Sequence, residues 1–136
     1  MGRATDRGNG AFRLGVQECG DDCLHVEVAG RVGYADAPRF AEAVQEAFRA
    51  SGKQQMLLDV ARVEFLYGLF DGYADAIEAL DKEVDGRGRF ALISSEGRRP
   101  AATYLATVLH ARGVQFRAFF GSIDAAERWL AEGQQE

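Results

Sequence analysis

The sequence predicts an α/β domain built on a single mixed, mostly parallel five-stranded sheet, with an antiparallel N-terminal hairpin strand and about four helices. Two nearly unbroken apolar runs, residues 56–60 and 90–93, have the composition of strands covered on both faces. Amphipathic stretches with apolar residues three and four apart lie before, between and after those runs. Two alternating segments near the N-terminus flank a turn cluster and add a hairpin. Strand, helix and strand in succession imply parallel crossovers, so the order β-β-α-β-α-β-α-β-α leaves the hairpin strand as the antiparallel member at one edge.

Each element has a local reason. Residues 12–18 place Phe12, Leu14 and Val16 on one side, and residues 19–22 supply the turn. The next strand, Leu24-His25-Val26-Glu27-Val28, alternates cleanly, which predicts one buried face, one wet face and a half-exposed His25, on a strand near the sheet edge or in a sheet with one face incompletely covered. Asp36 is a fair N-cap for a helix to about Ala50, with Pro38 in its first turn and Phe40, Val44, Ala47 and Phe48 as its buried stripe. After the central strand, residues 61–67 read as a connection. Leu66, Phe70, Tyr73, Ile77, Leu80 and Val84 then form the strongest helical periodicity in the chain. A turn at Gly86-Arg87-Gly88 precedes the strand of residues 90–93. Ser94-Ser95-Glu96-Gly97 leads into a third helix, from Arg99 or Pro100 to Ala111, that buries Ala101, Leu105, Val108 and Leu109 and stops at Gly113. Residues 114–119 alternate as the far edge strand. Ser122 caps a last helix with Ile123, Ala126, Trp129 and Leu130 on one side.

A chain of 136 residues is the length of one domain. Residues 1–11 read as a flexible tail, residues 12–132 as the domain and residues 133–136 as a frayed end. No apolar run approaches the roughly 18 residues of a membrane span, and the N-terminus lacks the apolar core of a signal peptide. These features predict a cytoplasmic protein. Asp6 stands where a myristoylation signal needs a hydroxyl. A net charge of −5 offers no basic field for a phosphate backbone, so nucleic acid is not expected as a partner.

Cys19 and Cys23 bracket Gly20-Asp21-Asp22, with His25 two residues on. Three such groups on one short hairpin make a poor zinc site, because structural zinc takes four ligands in a tetrahedron. The expectation is two reduced thiols beside a turn, no metal and no cofactor.

The string Leu57-Leu58-Asp59-Val60-Ala61-Arg62-Val63-Glu64-Phe65-Leu66 is similar to the leucine-aspartate strand, short loop and apolar pair of STAS domains, the sulfate-transporter and anti-sigma-factor-antagonist family. The closing strand, Gly121-Ser122 and the final helix with its Ala-x-x-Trp-Leu ending resemble divergent STAS-like and CRAL-TRIO-like bacterial proteins of this size. The resemblance covers about residues 12–130 and implies a regulatory, protein-binding fold. Phosphorylatable antagonists carry Asp-Ser-Ser or Asp-Ser-Thr-Gly at the start of the helix after the central strand, where a kinase partner adds phosphate. The corresponding positions here are Tyr67, Gly68, Leu69 and Phe70, so the usual phosphoacceptor hydroxyl is missing.

In a largely parallel sheet, ligands and partners meet the crevice beyond the carboxyl ends of the strands. The residues expected at that rim are Asp59 and Arg62 after one strand, Tyr67, Gly68 and Asp71 at the next helix start, and Ser94, Ser95, Arg98 and Arg99 after the following strand. Helix N-termini facing the rim favour an anion; turn, capping and local ion-pair roles account for the same residue types. The two histidines, His25 and His110, fall away from the rim, and no Walker string, dinucleotide fingerprint or paired-histidine motif occurs. No catalytic set is expected. The leading expectation is a non-catalytic interaction module that binds a protein partner or a second copy of itself. The alternative is a small-molecule or lipid carrier of CRAL-TRIO-like type, which requires an apolar cavity.

Overall fold

The strand of residues 55–65 organises the molecule, because it is the longest in the sheet and its two halves have different neighbours. The computed structural model describes residues 3–5, 12–66 and 88–134. Six strands form one sheet in the spatial order β1 (Arg3–Thr5), β2 (Phe12–Glu18), β3 (Cys23–Val32), β4 (Gln55–Phe65), β5 (Arg89–Ser94) and β6 (Gln115–Phe120). β2 is antiparallel to both of its neighbours, β1 and β3, and β3 to β6 are parallel. The five strands predicted from the sequence are β2 to β6, and the short β1 is an addition that pairs Arg3 with Val16 and Thr5 with Leu14.

Three helices are described: α1 (Ala37–Ser51), α2 (Arg99–Ala111) and α3 (Ile123–Gln134). The fourth predicted helix, residues 69–84, lies outside the described residues. α1 and α2 pack on one face of the sheet, where Phe12, Leu14, Val26, Val28, Met56, Phe90, Leu92 and Phe116 meet Val44, Phe48, Leu105 and Leu109. Phe48 and Phe90 stack edge-on at 5.1 Å between ring centroids. α3 packs on the other face, with Ala126 and Leu130 against Leu57, Ala91 and Ile93.

The helix ends follow their sequence signals. Gly113 takes φ +87°, and the N–H groups of Gly113 and Val114 donate to the carbonyls of His110 and Leu109 at 3.0 Å, closing α2 while Val114 and Leu109 are both buried. Ser122 Oγ accepts from the N–H of Ala125 at 3.2 Å and caps α3. Asp36 does hold the position before α1, but it makes no side-chain cap. Its carboxylate turns back to accept from Gly33 N–H at 3.0 Å and from Arg39 Nη2 at 2.8 Å, so it fixes the loop entering the helix.

Several expectations are corrected. Cys19 and Cys23 are joined by a disulfide and are not free thiols. They continue the β2/β3 ladder one step beyond Glu18 and Leu24, with Cys19 N–H donating to the Cys23 carbonyl at 3.0 Å and the Cα atoms 5.1 Å apart, a separation that a disulfide spans without backbone movement. His25 is buried, 7% exposed, on β3, which is the third of the six described strands and not an edge. Residues 61–65 are strand, paired with β3 as far as Val32 and Phe65. α2 buries Ala102 where Val108 was expected, and Val108 is only partly covered.

Candidate functional site

The carboxyl ends of the parallel strands form a step. β5 accompanies β4 only along Met56-Leu57-Leu58-Asp59, opposite Phe90-Ala91-Leu92-Ile93, and then ends at Ser94. β3 and β4 continue together to Val32 and Phe65, roughly 20 Å beyond the level of Asp59 at the usual strand rise. β2 flanks β3 as far as Gly30, so the rim has a projecting edge whose last two pairs, Arg31 with Glu64 and Val32 with Phe65, stand as a two-stranded tip, with the turns that follow β5 and β6 at its foot.

A bulge permits the projection. Glu27 pairs with Asp59 and Ala29 with Arg62, so Val60 and Ala61 together oppose Val28. Asp59 Oδ1 accepts from Ala61 N–H at 3.0 Å. The extra residue changes the phase of alternation, and Val63 and Phe65 turn toward the core that Val60 already faces, while Arg62 and Glu64 stay exposed. In register with Arg31, Glu64 forms an exposed pair at 3.6 Å.

Phe65 packs against Phe40 of α1 with ring centroids 6.0 Å apart and nearly perpendicular planes, and Phe40 packs in the same way against Phe12 at 5.6 Å. The turn after β5, Glu96–Arg98, brings Arg98 over the Phe65 ring at 4.8 Å. Arg99 lies over Phe120 at 4.0 Å, and its guanidinium takes both carboxylate oxygens of Glu96, Nε to Oε1 at 2.9 Å and Nη2 to Oε2. These hydrogen bonds, and then the charge of Arg99, hold the Glu96 carboxyl below the ordinary glutamate range. Leu66 follows Phe65, is tied by its N–H to the Val32 carbonyl at 2.8 Å, and is 51% exposed. Among the described residues, it and Tyr104 of α2 are the two exposed large apolar side chains.

The residues expected at the rim separate into five situations. Arg98 and Arg99 meet there on aromatic rings. Ser95 is exposed at the start of the turn, and its carbonyl accepts from Arg98 N–H at 3.0 Å. Asp59 and Ser94 stand at the foot of the step on opposite faces of the sheet, Asp59 holding the bulge and Ser94 only 4% exposed. Arg62 is exposed on the projecting edge. Tyr67, Gly68 and Asp71 lie outside the described residues. Phe65, Leu66 and Glu96 were not among the expected site residues; the alternation Arg62-Val63-Glu64-Phe65 was the signal that strand, and with it the rim, runs on.

No arrangement for nucleophilic or metal chemistry appears among the described residues. His110 is exposed near the end of α2, and His25 lies on the α3 face of the sheet with Nδ1 3.2 Å from Gln17 Nε2 and with Nε2 buried without a hydrogen-bond partner among the described residues. No group of three or more metal-ligating side chains occurs among the described residues, and none of their helices is long and apolar enough to cross a membrane.

No family model matches the sequence, and no curated protein matches it. Solved structures do. An anti-sigma factor antagonist from Mycobacterium paratuberculosis superposes with a TM-score of 0.61 at 18% identity, over 91% of this chain and 97% of that one. An uncharacterized protein with a SpoIIAA-like fold from Shewanella loihica PV-4 superposes with a TM-score of 0.57 at 19% identity, over 90% and 96%. The chain has the STAS-like fold.

Proposed function

We propose that this protein is a non-catalytic, regulatory STAS-like module that docks a protein partner on the rim at the β3/β4 tip. The observation that carries the reading is the placement of Leu66, half exposed at the end of β4 next to Phe65, whose ring Arg98 covers, where a partner's apolar side chain would displace water from Leu66. Arginine and aromatic side chains are the types enriched in binding hot spots. The antagonist from Mycobacterium paratuberculosis supports a protein partner by its fold. The partner set includes a second copy of the chain, and the compartment is the cytoplasm. Regulation does not run through the usual phosphoacceptor, because Gly68 and Leu69 stand where the hydroxyls would be. Light scattering together with affinity capture from native lysate tests this: a specific complex or a homodimer is expected, and a strict monomer that retains no protein overturns it.

The carrier reading has one observation in its favour. An open cleft of about 320 Å³ lies between β2 and α1, lined by Leu14, Val16, Leu24, Ala47 and Ala50 among others. That volume is at the small end of ligand pockets. Native mass spectrometry of freshly purified protein would reveal a bound small molecule if this cleft carries one, and a mass equal to that of the chain alone removes this second reading.

A further inference from the structure

The turn between β2 and β3, closed by the Cys19–Cys23 disulfide, is bonded to the opposite strand starts. The Asp21 carbonyl accepts from Lys53 Nζ at 2.9 Å, and Asp22 accepts from two further groups, Gln54 N–H on Oδ1 and Gln55 N–H on its carbonyl, both at 3.0 Å. Gln55 carries the connection inward. Its side chain is 3% exposed, donates through Nε2 to the Leu130 carbonyl at 3.0 Å, and accepts from Arg89 N–H at 3.2 Å. Arg89 in turn donates to the Trp129 carbonyl at 2.6 Å. Direct hydrogen bonds thus run from the closed turn to the second half of α3. Packing follows the same route, since both cysteines join the cluster of Leu57, Ala126, Leu130 and Trp129.

The disulfide closes five residues only, and a loop that short shifts the unfolding equilibrium by about thirtyfold on the chain-entropy estimate. The larger core under α1 and α2 contains neither cysteine. The domain can therefore stay folded with the bond open, and what its opening changes is local.

We propose that Cys19–Cys23 is a reversible redox latch, a site of thiol–disulfide exchange whose opening frees the β2/β3 turn and loosens the second half of α3. Cys19 is the partly exposed cysteine and Cys23 is buried. A thiolate of a dithiol reductant attacks Cys19 Sγ, forming a mixed disulfide, and the bond's electron pair leaves on Cys23 Sγ, which takes up a proton. The reductant's second thiol, as its thiolate, then displaces Cys19, which is protonated in turn. The protein gains two electrons and two protons, and the reductant leaves as its own disulfide. In a reducing compartment the latch rests open, and a disulfide oxidant of the glutathione class closes it by the reverse exchange.

Hydrogen exchange read by mass spectrometry on the full chain tests the latch, before and after dithiothreitol and again after oxidised glutathione, with thiols counted by alkylation. Reduction is expected to expose two thiols and to speed exchange about tenfold in residues 19–23, 53–55 and 129–134, while α1 and the parallel strands keep their protection. Oxidised glutathione should restore the slow state. Cys19→Ser is expected to show the fast pattern with or without reductant, and Asp22→Ala, which keeps both sulfurs, to show it in residues 53–55 with the bond intact. The latch is overturned by a bond that dithiothreitol cannot open, by thiols that oxidised glutathione cannot join, by faster exchange confined to residues 19–23, or by loss of protection throughout the chain.

Discussion

Asp59 Oδ1 accepts the N–H of Ala61 at 3.0 Å, at the one place where β3 and β4 slip register. The bulge there turns Val63 and Phe65 to the core and Arg62 and Glu64 to solvent, so the aspartate supports the projecting edge from its foot. Asp59→Ala is expected to destabilise the fold by about 1 kcal/mol, the ordinary net worth of one hydrogen bond. Asp59→Asn, which keeps an acceptor, should lose less than half of that. Urea unfolding of the three proteins checks the ranking, and equal losses for Ala and Asn would remove the hydrogen bond from the account.

Gly88 is required by close backbone approach. A Cβ there would stand 1.8 Å from the carbonyl oxygen of Gln54, so Gly88→Ala must push apart the starts of β4 and β5. A loss of about 3 kcal/mol is expected from such overpacking. Thermal unfolding checks it, with Gly97→Ala as the control, because nothing lies within 4 Å of a Cβ at that position.

Much of this was legible in the residues, for identifiable reasons. The runs at 56–60 and 90–93 read correctly as central parallel strands because both of their faces are covered. Gly113 and Ser122 marked helix ends through bonds that their own chemistry dictates. The rim was harder. The change of alternation at Ala61 looks like the end of a strand, and only the pairing with β3 makes it a bulge, so Asp59 was placed at the tip while the strand carried the tip on to Phe65. His25 read as half exposed because alternation reports one strand's pattern and not what covers the sheet face it points to. The disulfide depends on hairpin register, which turn composition alone leaves open.

Gln55 is a buried polar side chain whose amide nitrogen and oxygen each have a partner, the Leu130 carbonyl of α3 and the Arg89 N–H of β5. Gln55→Leu would bury the Leu130 carbonyl and the Arg89 N–H without these partners. A loss of about 2 kcal/mol is expected. The fold should persist, with the increase in hydrogen exchange concentrated in α3.

Glu96 supplies the pH dependence. Its carboxyl titrates below the usual glutamate value because Arg99 bonds the charged form. A depressed carboxylate stabilises the folded state above the unfolded pKa, and that contribution fades as pH falls through the lowered folded value. The pair is exposed, so Glu96→Gln should leave the unfolding temperature nearly unchanged at neutral pH. The sharper readout is the side-chain carbon chemical shift: Glu96 should titrate below the ordinary glutamate range, and Arg99→Gln should return it to that range.

Substitution at Leu66, read as partner retention, tests the docking rim most directly. Its half-exposed side chain makes Leu66→Asp neutral for folding, while an apolar anchor at the centre of an interface is worth more than about 1.4 kcal/mol, a tenfold loss of affinity. Tyr104→Asp, the matching change on α2, should leave binding intact. The account predicts that the partner held by the unaltered protein is lost with Leu66→Asp and kept with Tyr104→Asp; equal retention by both variants would contradict it.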